Sequence, residues 1–335
     1  MPSISIVLVH AALMRVRVKT EGSCNMKYIK YYILLIVLIC AAALYLYMIK
    51  AGPSLQQQPV VNARKPTKDK ASQSSDFKVS GARRTANYMG YEDTEVSPVL
   101  KKYLDFVPQA PGNLLDLGCA WGFAIQQILA LEKQAPFLKP RNRKIIAIDM
   151  SQEHINLVSA RTPAELVETL TMHFPNIESQ KCREAFSPDT LGATFAGLVF
   201  HYLNPDELTR GLKLLFDATA PGGRVYASVN SAFIMPALLE DFQRRKKNPA
   251  DKYPGWYPNF NDNSVPEKIR STMPKSICGI KIALLHVFDE ETLSRYFKQA
   301  GFHVIEHFYF NRSKVIPMKL LGIVAEKESV SFLKK

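Results

Sequence analysis

Residues 113–131 read NLLDLGCAWGFAIQQILAL, an apolar run followed by a glycine turn and a second, amphipathic run. The pattern predicts a strand over Asn113–Leu117 and a helix over Ala120–Lys133. Gly118 and Gly122 allow the backbone between them to approach a ligand closely and to adopt torsions that side chains disfavour. The turn also points the first helical N–H groups at that ligand, which suits a carboxylate. The stretch therefore predicts a binding loop at the carboxyl end of a strand in an open α/β sheet.

A second carboxylate, Asp149, ends the next apolar run, KIIAIDMS at 144–151. We predict a strand over Lys144–Asp149. A carboxylate in that position can accept hydrogen bonds from the two vicinal hydroxyls of a ribose. Further along, Pro221-Gly222-Gly223 breaks the chain just before another predicted strand. The order and spacing of these signals together predict a nucleotide site.

The rest of the chain from residue 88 alternates between strand-like and helix-like patterns, which is typical of a parallel α/β sheet. Further helices are predicted over Ser97–Phe106, Gln152–Ala160, Ala164–His173, Asp206–Ala218 and Glu290–Ala300. Further strands are predicted over Ile177–Cys182, Phe195–Tyr202, Gly223–Val229, His303–Phe310 and Lys319–Glu326.

DLGCAWG at 116–122 resembles the first motif of the class I S-adenosylmethionine-dependent methyltransferases, and IDMS at 148–151 resembles their second motif. Residues 203–230 resemble the region between their fourth and fifth strands, and residues 288–310 resemble their last helix and sixth strand. The resemblance covers about Tyr88 to Glu326. It implies a Rossmann-like α/β fold, with a seven-stranded sheet that is mostly parallel, a last strand that is antiparallel, and helices on both faces. It also implies S-adenosylmethionine as the cofactor.

The resemblance assigns roles to residues of the two motifs. Asp116 would orient the methionine amino group, Gly118 and Gly122 would line the methionine end, and Asp149 would hold the ribose. The expected cofactor site also includes Cys119, Ala120 and Met150.

Two departures from the family pattern affect that site. Ala120 stands where the central glycine of the loop usually lies. The acidic residue that usually follows the third strand, near the adenine, is replaced by KCREAF, which leaves Cys182, Arg183 and Glu184 as alternatives. A nicotinamide-dependent Rossmann enzyme is the nearest competing interpretation, but its G-x-G-x-x-G motif is absent.

His201 and Tyr202, at the end of the predicted fourth strand, are the candidate catalytic residues. The alternative interpretation of His201, a structural histidine at a strand end, is favoured over a catalytic role. Asn204-Pro205 is interpreted as a helix start, with Asn204 as the N-cap.

An insertion over about 231–285 precedes the last helix and is a candidate substrate lid. It carries the basic run Arg244–Lys247 and the aromatic residues Tyr253, Trp256, Tyr257 and Phe260. These groups would suit an apolar or anionic acceptor. The alternative is a solvated charged helix beside a packed loop.

Charge is distributed unevenly along the chain. Residues 1–84 hold 13 Lys and Arg against 3 Asp and Glu, a balance of +10, and the remaining 30 against 27 leave +3 for residues 85–335. A near-neutral globular part argues against nucleic acid as a partner. The 5 cysteines form no CxxC pair, so neither a zinc site nor a disulfide framework is expected.

Residues 31–49, YYILLIVLICAAALYLYMI, carry no charge and are long enough to cross a membrane as a helix. Eight Lys and Arg between Lys50 and Arg84, against five upstream of the span, predict a single-pass protein whose C-terminal domain faces the cytoplasm. Met26 begins a typical signal-anchor pattern, so translation from that methionine is an alternative start.

The predicted organisation is therefore a short N-terminal segment (1–30), an anchor (31–49), a flexible basic linker (50–87) and a methyltransferase domain (88–335). The predicted function is methyl transfer to a small-molecule, lipid or protein acceptor. The alternative is a catalytically inactive, membrane-tethered scaffold with the same fold. The sequence leaves the acceptor class and the oligomeric state open.

Overall fold

The computed structural model describes residues 82–87, 90–258, 285–312 and 318–329. The chain divides into two compact units, 1–74 and 75–335, and every described residue belongs to the second. The predicted anchor at 31–49 lies outside the described residues, as does the predicted linker up to residue 81. Within the described ranges, no helix is both long and apolar enough to cross a membrane.

The strands appear along the chain in the following order. They are β1 Ala82–Arg84, β2 Tyr91–Asp93, β3 Asn113–Leu117, β4 Ile145–Asp149, β5 Val167–Thr171, β6 Leu191–Gly197, β7 Thr219–Asn230, β8 Trp256–Tyr257, β9 Leu285–His286, β10 His303–Asn311 and β11 Lys319–Glu326. The α-helices are α1 Pro98–Phe106, α2 Phe123–Gln134, α3 Gln152–Arg161, α4 Gln180–Ala185, α5 Pro205–Ala218, α6 Pro236–Lys246 and α7 Glu290–Ala300. Short 3-10 helices occupy Val107–Gln109, Lys139–Arg141, Phe200–Tyr202 and Ala232–Ile234.

Seven strands form the main sheet, in the order β10-β11-β7-β6-β3-β4-β5. The strands from β7 to β5 run parallel, and β11 is antiparallel to both β7 and β10. This confirms the predicted seven-stranded, mostly parallel sheet with an antiparallel last strand. Two small antiparallel two-stranded sheets, β1–β2 and β8–β9, are separate from this sheet.

Both faces of the sheet are covered by helices, as predicted. Successive strand residues point to opposite faces, so Leu114 packs in one core with α1, α2 and α3. Its neighbour Leu115 packs in a second core with α4, α5 and α7. A smaller third core lies within the insertion, around Leu238 and Phe242 of α6.

The segment between β4 and β6 is where the sequence predictions are wrong. The predicted helix Ala164–His173 contains strand β5, which pairs in parallel with β4. The predicted strand Ile177–Cys182 overlaps helix α4, whose first turn is capped by the Ser179 hydroxyl. In the first segment, pairing with β4 outweighs the local helical pattern. In the second, the Ser179 cap outweighs the local strand pattern, because both segments are short.

Two other boundaries shift for a backbone reason. The predicted helix Ala120–Lys133 begins only at Phe123, because Gly122 has a φ of 85° and cannot belong to the helix. The predicted strand Phe195–Tyr202 ends at Gly197, because Leu198 turns the chain with a φ of 60°.

Candidate active site

A cavity of about 520 Å³ lies at the carboxyl ends of the parallel strands. The residues at the ends of β3, β4, β5 and β6 line it, and so do parts of the β1–β2 segment and the insertion. This is the place where open α/β sheets bind ligands. The cavity brings together most of the predicted site residues: Asp116, Gly118, Cys119, Ala120, Asp149, Met150, His201 and Tyr202.

The glycine turn is shaped by left-handed backbone torsions. Gly118, Ala120 and Gly122 have φ angles of 74°, 44° and 85°. A Cβ at Gly118 would lie 2.4 Å from Cγ2 of Val199, so only glycine fits between the loop and the segment after β6. Ala120 adopts its left-handed torsion despite carrying a side chain, which explains why glycine is usual at that position.

Gly122 has a structural role. It is not among the described residues that line the cavity, and a Cβ there would lie 3.0 Å from Val158 of α3. It therefore lets the loop enter α2 while packing closely against the neighbouring helix. The predicted direct cofactor contact at Gly122 has no support in this geometry.

Asp149 links the two predicted motifs. Its Oδ2 accepts a hydrogen bond from the backbone N–H of Ala120 at 3.0 Å, and its Oδ1 accepts one from Ser151 at 2.8 Å. Nδ1 of His154 lies 3.0 Å from the same Oδ1. Nε2 of His154 accepts the backbone N–H of Ala86 at 2.9 Å, so the ring proton of a neutral imidazole resides on Nδ1, facing the carboxylate. Oδ2 retains capacity for a further donor from the cavity.

Asp116 is buried, and its Oδ2 has no hydrogen-bond partner among the described residues. Burial raises the pKa of its carboxyl well above the usual range, and the nearby carboxylates of Glu92 and Asp149 raise it further. A buried polar atom without a partner is costly. A ligand donor that reaches this oxygen would remove that cost.

Glu92 is a site residue that the sequence predictions missed. Its Oε1 accepts the backbone N–H of Phe123, the first residue of α2, at 2.9 Å. Burial raises its pKa to about 7, although the Phe123 N–H and the charge of Arg83 act in the opposite direction. The Glu92 carboxyl thus lies at the N-terminus of α2, the positive end of the helix dipole, where the glycine loop ends. No local motif marks it, because it lies 31 residues before its partner.

The β1–β2 segment lies across the glycine loop. Nε1 of Trp121 donates to the carbonyl of Arg84 at 2.9 Å, and the guanidinium of Arg83 stacks 3.9 Å over the Trp121 ring. Together with the bonds to His154 and Phe123, these contacts hold residues 82–87 and 90–93 as one wall of the cavity. Residues 82–87 of the predicted linker therefore belong to the folded unit.

The residues after β5 correct the predicted adenine-side contacts. Cys182, Arg183 and Glu184 lie on or near α4 and do not line the cavity. Met172, His173 and Phe174 line it instead, because β5 ends at Thr171 and the chain leaves the sheet there. The signal that would have found them is the correct position of the third strand.

His201 and Tyr202 lie in the 3-10 helix that follows β6, and both line the cavity. His201 is 3% exposed, and burial lowers its pKa to about 3, with smaller effects from Arg312 and His286. The imidazole is therefore neutral. Burial also raises the pKa of Tyr202 to about 12, so its phenol stays protonated.

The basic run of the insertion is engaged in ion pairs. Arg244 pairs with Asp241, Arg245 with Asp251 at 2.7 Å, and Lys246 with Asp289 and Glu291. The described aromatic residues Tyr253, Trp256 and Tyr257 do not line the cavity, whereas Ile234, Met235 and Leu238 do. Phe260 lies outside the described residues. The insertion thus contributes an apolar wall, and the interpretation of the basic run as an anion site is not supported.

Among the described residues, no group of three or more His, Cys, Asp or Glu side chains could hold a metal ion. Cys119 and Cys182 are both buried and free.

No protein-family model matches the chain, and no curated protein matches it. Several solved structures are similar in fold. The 1,6-didemethyltoxoflavin N1-methyltransferase of Burkholderia thailandensis, bound to that compound and S-adenosylhomocysteine, is 16% identical, with 70% of this chain and 78% of that one covered and a TM-score of 0.46. A SAM-dependent methyltransferase of Methanosarcina mazei is 18% identical, with 70% and 99% covered and a TM-score of 0.47. The N-methyltransferase NodS of Bradyrhizobium japonicum, bound to S-adenosylhomocysteine, is 13% identical, with 70% and 90% covered and a TM-score of 0.42.

Proposed function

We propose that this chain is a methyltransferase that uses S-adenosylmethionine. The observation that carries the proposal is the convergence of three carboxylates, Asp116, Asp149 and Glu92, on one glycine loop inside one cavity. Arg312 is the sole Lys or Arg among the described residues lining that cavity, and it is paired with Asp93. An acidic, partly apolar cavity suits a ligand with positive charge on an otherwise organic body. S-adenosylmethionine, with its ammonium and sulfonium groups, has that character.

The residues present fit this cofactor. Asp116, with an unpartnered buried oxygen, would accept the ammonium group, and Gly118 would allow the methionine backbone to approach. The free capacity of Asp149 Oδ2 would accept a ribose hydroxyl. Met172 and Phe174 would pack against the adenine. When bound, the cofactor supplies an electrophilic methyl group.

The protein's own contribution to such a reaction is positioning and exclusion of water. Val199 fills the space beside Gly118, which brings the Phe200–Tyr202 segment next to the loop. The β1–β2 segment and the insertion close the cavity from the other sides. Holding two reactants in line within such a cavity accounts for a large part of the barrier reduction in transfers of this kind.

The proposal is tested by incubating the purified full-length chain with methyl-tritiated S-adenosylmethionine and a detergent extract of membranes. The expected result is incorporation of label that depends on the protein and falls at least tenfold in an Asp149→Ala variant. Cofactor binding without any incorporation would support the alternative, a catalytically inactive scaffold. Absence of cofactor binding by the folded chain would reject the enzyme and leave the scaffold as the better account.

We also propose that residues 31–49 anchor the protein in a membrane with the catalytic unit facing the cytoplasm. The support is in the sequence: an uncharged run of sufficient length and a basic excess on its C-terminal side. The chemistry agrees, because S-adenosylmethionine is made in the cytosol. Nucleic acid is not a proposed partner, since residues 85–335 carry a near-neutral balance.

A further inference from the structure

The sheet order divides the cavity into two ends. Residues after β3, β4 and β5 form the end that the proposed function assigns to the cofactor. The other end lies beyond β6 and β7, toward β10–β11 and the insertion. We call this second end the acceptor end. Its lining residues indicate which class of methyl acceptor would bind there.

The walls of the acceptor end are mainly apolar. They are formed by Phe195, Leu203, Ile234, Met235, Leu238 and Met318. Two methionines and an aromatic ring adapt well to a flat apolar body. Apolar walls with a few polar groups are typical of sites that select an apolar ligand and orient it by hydrogen bonds.

The charges at the acceptor end neutralise each other. Nε of Arg312 lies 2.8 Å from Oδ1 of Asp93, and its Nη2 donates to the carbonyl of Tyr91 at 2.7 Å. The Arg312 side chain is only 9% exposed, so the pair is largely shielded from water. Glu95 also lines the cavity, but it is exposed, and its charge is screened by solvent. A charged acceptor would therefore lose its hydration and find no unpaired buried counter-charge among the described residues that line the acceptor end.

His201 is a polar residue at this end with an unsatisfied ring nitrogen. Its Nδ1 is buried without a hydrogen bond to any described residue, and His201 is one of the residues that line the cavity. The ring lies two residues from Val199, whose side chain fills the space beside Gly118. The 3-10 helix that carries His201 therefore follows directly on the segment that packs against the loop that would hold the methyl donor. An acceptor that donates a proton to this ring would satisfy it.

Resting on the proposed function, we infer that the acceptor is an uncharged, largely apolar molecule with a phenol-type hydroxyl, and that His201 takes the hydroxyl proton. The hydroxyl oxygen forms a bond to the methyl carbon as the carbon–sulfur bond breaks. The proton passes to the imidazole and from there to water. The sulfonium becomes a neutral thioether, so the charges balance.

The weakness of His201 as a base favours a phenol over an alcohol. A buried, neutral imidazole with a low pKa accepts a proton readily only from an acidic hydroxyl whose pKa falls further as the methyl bond forms. An aliphatic alcohol is too weak an acid for such a partner. A carboxylate has no proton to give.

Binding is the first test. The full-length chain with S-adenosylhomocysteine is examined by saturation-transfer NMR with ethyl 4-hydroxybenzoate, and with 4-hydroxybenzoate as the matched charged control. We expect transfer to the ester at least tenfold stronger than to the carboxylate. Equal transfer to both, a preference for the carboxylate, or transfer to neither would overturn the inference. A chain that fails to bind S-adenosylhomocysteine would instead reject the proposed function on which the inference rests.

The role of His201 is tested with phenols of different acidity. Replacing the imidazole in His201→Gln is expected to lower kcat for 4-methylphenol roughly 100-fold, with KM nearly unchanged. The loss for the more acidic 3-nitrophenol, which is still mostly uncharged at pH 7, should be several times smaller, because its hydroxyl gives up its proton more readily. A structural role would give equal losses on both phenols and would overturn the inference.

His286→Gln is the matched control for that experiment. His286 is also buried, and its Nδ1 lies 3.2 Å from the carbonyl of Leu203, but it is not among the described lining residues. Whatever this substitution does to stability, the ratio of rates on the two phenols should stay as in the wild type. A changed ratio would show that the acidity dependence does not report on His201.

Discussion

The three carboxylates that face the glycine loop differ in what surrounds them. Asp149 accepts two backbone N–H groups and has Nδ1 of His154 3.0 Å from its Oδ1, so its carboxylate is held in a fixed orientation. Glu92 accepts one N–H at the start of α2. Asp116 has an oxygen with no described partner. These differences predict separate roles: orientation of the ribose for Asp149, and neutralisation of ligand charge for Glu92 and Asp116.

Glu92 should make cofactor affinity depend on pH. Burial raises its pKa to about 7, so its carboxyl is protonated below that pH and ionised above it. Because the ionised form attracts a cationic ligand, affinity for S-adenosylmethionine should rise up to roughly tenfold between pH 6 and pH 8. Calorimetric titration across this range measures it. An equally steep rise in the Glu92→Gln variant would contradict the role.

The raised pKa of Glu92 also makes the stability of the unliganded protein depend on pH. The folded pKa of Glu92 lies above its unfolded value, so its ionisation disfavours the fold. Its contribution to the free energy of unfolding is therefore greatest at low pH and is lost as pH rises from about 4.5 to about 7.

The site residues that the sequence predicts are those tied to a local motif. Asp116, Gly118 and Asp149 sit at strand ends beside a glycine turn, and their order along the chain suffices to assign them. Glu92 and His154 escape prediction because distant contacts bring them to the loop. The bond from Ala86 to His154 spans 68 residues, and nothing in the local sequence indicates it.

Helix α5 follows the His201 segment directly, and its N-terminus is held by a capping box. Oδ1 of Asn204 accepts the backbone N–H of Glu207 at 2.9 Å, and the Glu207 carboxylate accepts the N–H of Asn204 at 3.0 Å. Asn204→Ala should lower the free energy of unfolding by about 1 kcal/mol, because it leaves that N–H without its partner. Urea denaturation measures the change. The control is Asn156→Ala on the exposed face of α3, and an equal loss there would contradict the assignment.

The β1–β2 segment should respond to cofactor as one element. Its residues Arg84, Ala86 and Glu92 are hydrogen-bonded to Trp121, His154 and Phe123, which border the glycine loop or Asp149. Cofactor binding should therefore slow amide hydrogen exchange in residues 82–87 and 90–93 by stabilising these contacts. Exchange followed by mass spectrometry measures it. Trp121→Phe, which removes the N–H to Arg84, should reduce the protection, and unchanged exchange on binding would contradict the prediction.

Elements were predicted well where the pattern is long or has marked ends, and poorly where it is short. Helix α7 was predicted with its observed bounds; Asp289 caps its start and Gly301 ends it with a φ of 111°. Strand β5 is only five residues long and pairs with β4 alone at the sheet edge. The helix prediction fails there because the sequence of a single short segment does not show which strand it will pair with.

In the whole chain, the first 84 residues carry a basic excess, whereas residues 85–335 are nearly neutral. We predict that the full-length chain is recovered in the membrane fraction and resists extraction by high salt or carbonate. Deletion of 31–49 should release it without loss of S-adenosylmethionine binding. Immunoblotting of fractions measures both. Salt extraction of the full-length chain would indicate electrostatic attachment and contradict a membrane-spanning anchor.

Calorimetric titration of S-adenosylmethionine into the purified full-length chain, with Asp149→Ala alongside, tests the proposed cofactor. The account predicts micromolar affinity for the wild type and a loss of at least tenfold, about 1.4 kcal/mol, in the variant. Asp105→Ala, which removes an exposed carboxylate paired with Lys101, should bind as the wild type does. No binding by a well-folded chain, or equal binding by Asp149→Ala, would contradict the account.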